Sequence, residues 1–212
     1  GGLLYGCATL RAHAPEGSPC RAVAQTSTGD AFLKLADDAG AAVRTVLDGI
    51  TERSPNAHVV VIGYPRLAPD RGTCAALPLA AGDYAYANEV IKRLDDKLAE
   101  AARATGADYV DMWTASRRHD ICAAEPWVQG ASNANGQAAP FHPLITEQQD
   151  VADKVTGLVR TRAAVAAARE AAEAAAEQAR QEAEQAAEEA RQAAEQAAEE
   201  ARQAAEQAAE EA

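Results

Sequence analysis

From Ala166 to Ala212 the chain uses only four amino acids, Ala, Glu, Gln and Arg. Nothing in this stretch is both apolar and larger than a methyl group, so it cannot build a core of its own. It also lacks Gly and Pro, and it is made of the best helix former and three good ones. Arg169, Arg180, Arg191 and Arg202 mark an eleven-residue period, and "ARQAAEQAAEE" recurs. Eleven residues over three turns give about 3.67 per turn, a nearly straight helix with slight right-handed drift. Ala falls at positions 1, 4, 5, 8 and 9 of the repeat, a narrow stripe of methyl groups. At about 1.5 Å per residue the 47 residues predict a rod of roughly 70 Å. An all-Ala seam buries little area per residue. Two readings therefore stand side by side: a solvated single-helix spacer, and an Ala-seamed coiled coil that self-associates. Repetition this regular also suggests engineering.

The tail explains the charge. It holds 4 Arg and 13 Glu, nine of the twelve net negative charges, and leaves residues 1–165 at about −3. The acidity is thus no guide to what the remainder binds, and no basic patch suggests nucleic acid. No apolar run approaches the roughly 18 residues that would span a membrane. Four cysteines, Cys7, Cys20, Cys74 and Cys122, lie before the tail without a C-x-x-C pair, which argues against a zinc or thioredoxin-like site. An even count fits two disulfides and an oxidising compartment. Four buried thiols in a reducing one is the competing reading. The chain opens "GGLLYG" and its one methionine is Met112, which reads as a processed piece or fragment.

Residues 1–30, rich in Gly, Pro and Ser, read as loop. From Ala31 to Arg53, Leu35, Ala39, Val43, Val46, Leu47 and Ile50 fall at helical spacing. "HVVVIGYP" is a short continuous apolar run, expected as a strand buried on both faces. A loop with Cys74 follows. "DYAYANEVIKRLDDKLAEAARATG" predicts a second helix ending at Gly106, with Tyr84, Ala87, Val90, Ile91, Leu94 and Leu98 as its stripe. "ADYVDM" predicts a second strand, and a long loop runs from Trp113 to Pro143. A further helix starts near residue 146 with Val151, Val155, Leu158 and Val159 inward, and runs on to near the C-terminus. Alternation of helix and strand reads as an α/β fold with a parallel sheet. Two parallel strands do not make a stable sheet, so residues 1–160 read as half of a domain and residues 161–212 as the long helix.

"NAHVVVIGYPRLAP", "YANEVIKRLDDKLAEAARATGADYVDMW", "EPWVQG" and "APFHP" together resemble the secreted actinobacterial branch of the SGNH, or GDSL-type, hydrolases. The resemblance covers about residues 1–160. It implies an incomplete three-layer α/β/α, flavodoxin-like half-domain from a family of serine esterases and lipases, and a secreted location. It implies no metal or organic cofactor. It also implies the pairs Cys7–Cys20 and Cys74–Cys122, the latter tying together two loops on the sheet edge where sites of such folds lie.

The family's catalytic base corresponds to His142. Many members carry an Asp three residues before the His, where this chain has Ala139; members of this branch use a backbone carbonyl instead, which assigns that task to the Ala139 C=O. A His142 that merely packs in the loop is the plain alternative. The family's oxyanion Asn lies in a Gly-Gly-Asn-Asp block, and this chain reads Gly1-Gly2-Leu3-Leu4, so no oxyanion donor is identified in it. Its five serines are Ser18, Ser27, Ser54, Ser116 and Ser132, and none occupies a nucleophile elbow. "TGDAF" imitates a Gly-Asp-Ser block with Ala31 for the serine, but no apolar strand precedes Gly29. His13, His58 and His119 are too scattered for a metal set, and Trp113 and Trp127 read as packing rather than an acyl pocket. The expectation is part of a serine ester hydrolase that supplies the His and is inactive alone. Its nucleophile, and with it an ester substrate, would come with a second chain carrying the N-terminal half. The alternative is a non-catalytic scaffold whose working part is the helix.

Overall fold

A computed structural model describes residues 2–133 and 136–210. The chain is mixed α/β and divides into two compact units, Gly1–Gly157 and Leu158–Ala212.

The first thirty residues are largely helical, not the loop that their composition predicts. Helix α1 (Gly2–Leu10) leads through a 3-10 turn to α2 (Pro19–Ala24), and strands β1 (Gln25–Thr26) and β2 (Gly29–Asp30) form a short antiparallel hairpin. Two features hold these short helices. The Cys7–Cys20 disulfide joins α1 to α2. The buried Asp83 carboxylate accepts the Cys20 N–H at 2.9 Å and the Arg21 N–H at 3.1 Å, satisfying donors that a helix start leaves open. Pro19 is thus a first-turn proline, which the helix tolerates because that N–H has no helical partner.

Helix α3 (Ala31–Arg53) begins at Asp30, whose side chain accepts from Phe32 and Leu33 N–H. The "TGDAF" stretch is therefore a helix cap. Burial would raise the Asp30 pKa, but the hydrogen bonds from Leu33, the Tyr86 hydroxyl and Phe32, with the charge of Arg21, hold it below the usual carboxylate range. Helix α4 (Asp83–Thr105) ends on Gly106 in the left-handed conformation, which glycine adopts without strain. It is the central element, packing on α2, α3 and both strands of the parallel sheet.

That sheet has two strands, β3 (Val60–Ile62) and β4 (Asp108–Val110), in register Val60 with Asp108, Val61 with Tyr109 and Ile62 with Val110. His58 Nε2 pairs with Asp108 Oδ2 at 2.6 Å at its start. The expectation that β3 is buried on both faces is corrected. Its residues are half-buried at best and Ile62 is 42% exposed, because α4 covers one face and the other lies open. After β4 come α5 (Met112–Ala115), inside the predicted long loop, and α6 (Ile145–Glu210). Val151 and Val155 are half-buried. Val159, expected inward, is exposed, since at 100° per residue it sits about 80° round the helix from Val151.

In the second unit the described side chains carry a regular set of bonds. Gln181–Glu177, Gln192–Glu188 and Gln203–Glu199 repeat every eleven residues, as do the pairs Arg180–Glu177, Arg191–Glu188 and Arg202–Glu199. Each is worth only a few tenths of a kcal/mol on an exposed helix face.

Candidate active site

The loops that follow the two parallel strands leave from the same end of the sheet, and they are laced together. The Cys74–Cys122 disulfide joins them. Ile121 N–H donates to the Leu67 carbonyl at 3.2 Å and Ala131 N–H to that of Ala76 at 2.8 Å. Gly130 permits the second contact, since a Cβ there would stand 2.8 Å from the Ala76 oxygen. Both expected disulfide pairings are thus present.

On this scaffold Trp127–Gln129 runs antiparallel to residues 141–144. Phe141 N–H donates to the Gln129 carbonyl, Gln129 N–H to that of His142, and Leu144 N–H to that of Trp127. Against this ladder lies a cleft of about 370 Å³, walled by Ala76, Ile121, Val128, Gln129 and Leu144. Phe141 has φ 60°, the left-handed region that non-glycine residues avoid. The conformation is held by burial of its ring, edge-on to Tyr5 at 5.1 Å between centroids. It leaves the next side chain, His142, exposed.

His142 Nδ1 lies 2.8 Å from the Pro140 carbonyl oxygen. A carbonyl only accepts, so Nδ1 carries a proton, and in the neutral ring the lone pair is then on Nε2, the tautomer of a general base. The expected carbonyl was that of Ala139. That oxygen instead accepts the His142 backbone N–H at 3.1 Å, because residues 139–142 form a turn whose closing bond uses it, and the ring falls to the carbonyl one residue later.

Among the described residues, none of the five serines bonds to His142. Ser116 is fully buried, accepting Arg66 N–H at 2.8 Å and donating to the Trp113 carbonyl, so its hydroxyl is structural. Ser54 ends α3 and Ser18 precedes α2. Ser27 and Ser132 are exposed. The Leu3 side chain, set against the oxyanion position, lies outside the described residues. Trp113 takes the Arg66 guanidinium over its face at 4.4 Å and Trp127 stacks on His119 at 4.4 Å, both packing roles.

The pattern of the sequence concealed one buried acid behind the sheet. Asp95 is 3% exposed; its Oδ1 accepts from Tyr64 N–H at 2.7 Å and the Tyr109 hydroxyl at 3.0 Å. Its Oδ2 is buried without a partner among the described residues. Burial, helped by Asp111 and opposed by both hydrogen bonds and Lys92, pushes its pKa up to about 6. Gly63 makes the room, since a Cβ there would stand 2.2 Å from the Tyr109 hydroxyl oxygen.

The sequence profile of the GDSL-like Lipase/Acylhydrolase family matches residues 13–145, a span that includes His142 and both disulfide-laced loops. The chain belongs to this family. It is 34% identical over 147 residues to Lipase 2 of Streptomyces coelicolor, covering 65% of this chain and 47% of that one. It is 34% identical over 104 residues to Lipase 1 of the same organism, covering 49% and 37%. The crystal structure of phospholipase A1 from Streptomyces albidoflavus NA297 superposes with a TM-score of 0.56 at 25% identity, over 70% of this chain and 58% of that one. The chain thus spans about half the length, or less, of these curated relatives.

Proposed function

We propose that this chain supplies the general base of a serine carboxylic-ester hydrolase, with the nucleophile and oxyanion donors contributed by a segment outside these 212 residues. The observation that carries the reading is His142, with Nδ1–H on the Pro140 carbonyl and no described residue bonded to Nε2, within the family-matched span. In the first step Nε2 takes the proton of a serine hydroxyl as its oxygen bonds to the ester carbonyl carbon. The C–O bond to the alcohol then breaks, and the imidazolium returns the proton to the departing alcohol. In the second step water attacks the acyl-serine, Nε2 takes the water's proton, and the proton passes to the serine oxygen as the acid leaves. None of these steps calls on a metal or organic cofactor. Two disulfides and the Streptomyces lipases among its relatives support a secreted protein. No described helix is long and apolar enough to cross a membrane.

A second reading, a non-catalytic scaffold carrying a helix, draws on the lack of any serine bonded to His142 among the described residues. A fusion decides between them. The N-terminal half of Streptomyces coelicolor Lipase 2 is joined to Gly1. Ester hydrolysis by the fusion is expected to fall by about 10²- to 10⁴-fold in His142→Ala. A fluorophosphonate should label the added segment. Equal rates with and without His142 support the scaffold.

A further inference from the structure

Besides the cleft at the ladder, the first unit contains an apolar cavity of about 120 Å³. Leu4 and Cys7 of α1, Ala87, Val90 and Ile91 of α4, and Phe32 of α3 line it, and it is partly open to solvent. The carboxylate on its lining, Asp83, has both oxygens engaged by the Cys20 and Arg21 N–H groups. An apolar cavity of about 150 Å³ accepts a guest the size of benzene. This one therefore suits a hydrocarbon chain of about four or five carbons.

Its place ties it to the base. Leu4 lines the cavity, and the next residue, Tyr5, packs edge-on against Phe141, the residue before His142. One helix, α1, touches the cavity and the support of the base at once. Resting on the ester-hydrolase reading above, we propose that this cavity holds a short alkyl chain of the substrate ester and limits its length. Phe32 sets the limit, fixed by stacking on Tyr86 at 6.3 Å.

The test measures binding to the 212-residue chain, so it does not depend on turnover. Methyl butanoate, butyl acetate and methyl decanoate are titrated while the methyl resonances of Leu79, Val90 and Ile91 are followed by NMR. The first two carry a four-carbon chain on the acyl and alcohol sides respectively, and the tighter binder identifies the side. Saturable shifts at these methyls are expected with the four-carbon probes and not with decanoate. Ala87→Leu, which fills the cavity, should weaken binding at least tenfold, while Phe32→Ala, which lengthens it, should admit decanoate. Shifts confined to surface methyls, or four-carbon binding unchanged in Ala87→Leu, overturn the proposal, as does decanoate binding to the parent chain as well as butanoate. Failure of the Lipase 2 fusion to hydrolyse esters would leave these shifts in place, so the two readings fail separately.

Discussion

A carboxyl group that is 3% exposed, with one oxygen unpartnered, gives up its proton reluctantly. For Asp95 the folded-state pKa, about 6, lies above the ordinary 3.8. The sign follows from linkage: the folded state holds the proton more tightly, so this contribution to stability is complete below about pH 3.8 and is lost as the pH rises through about 6. A shift of about two units is worth at most roughly 3 kcal/mol. Asp95→Asn keeps the acceptor for Tyr64 N–H and the Tyr109 hydroxyl but cannot ionise. Denaturant unfolding at pH 4.5 and 7.5 should show the variant gaining on the parent at the higher pH; parallel behaviour would refute the assignment. Sequence pattern missed Asp95 because "RLDD" places two acids beside a helical stripe and nothing local says which one turns inward. It singled out His142 because the resemblance around "FHP" puts there the residue type that the proposed chemistry requires. The carbonyl was misplaced by one residue, since the choice between Ala139 and Pro140 depends on the left-handed turn at Phe141, which composition does not encode.

Helix α3 shows how element boundaries can be legible while the buried face is not. Its span, Ala31–Arg53, agrees with the sequence reading, set by the Asp30 cap and the break at Ser54-Pro55. Yet Leu35 and Val46, expected inward, are each 61% exposed, while Ala36, Gly40 and Leu47 are buried. The pattern weighed large apolar residues, but α3 and α4 approach so closely that small ones take the contact. At Gly40 a Cβ would stand 2.5 Å from the Lys97 Cβ, which cannot swing away. Gly40→Ala should therefore destabilise the protein by about 1–3 kcal/mol, despite the better helix propensity of Ala. Gly49, in the same helix, is the control. A Cβ there meets only the mobile end of Arg53, so Gly49→Ala should stabilise by up to about 1 kcal/mol. Chemical denaturation of both variants checks the pair, and equal signs would disprove the argument. For α6, high propensity and repeated Glu–Gln and Glu–Arg bonds predict that a peptide of residues 166–212 is helical by circular dichroism at room temperature; a coil spectrum would contradict this.

At the scale of the molecule, the parallel sheet is the weak point. Parallel strands are ordinarily buried on both faces, and among the described residues this sheet has two strands, with Ile62 exposed and α4 on one face. An uncovered strand edge carries unpaired backbone groups that seek a partner strand. The chain matches 47% of the length of Lipase 2 and 58% of that of the phospholipase A1. The shortage of strands was legible in the sequence, where only two runs qualified. The open face was not, because an apolar run looks the same whether or not its covering layer is at hand. Catalysis meets the same shortage. A base accelerates acyl transfer only with a nucleophile within hydrogen-bond reach and donors aimed at the oxyanion. Here Ser116 is sealed in packing, and no described serine is bonded to His142. The 212-residue chain alone should therefore hydrolyse p-nitrophenyl acetate and butyrate at the same slow rate as its His142→Ala variant. Amides of Val60, Val61 and Ile62 that do not donate to β4 should exchange with solvent quickly in this chain and slow down in the Lipase 2 fusion. Enzyme-like turnover by the single chain, abolished in His142→Ala and blocked by a fluorophosphonate, would show that a serine in these residues reaches the base after all. Exposed Ser132, a few residues past the Trp127–Gln129 segment, would be the first to replace.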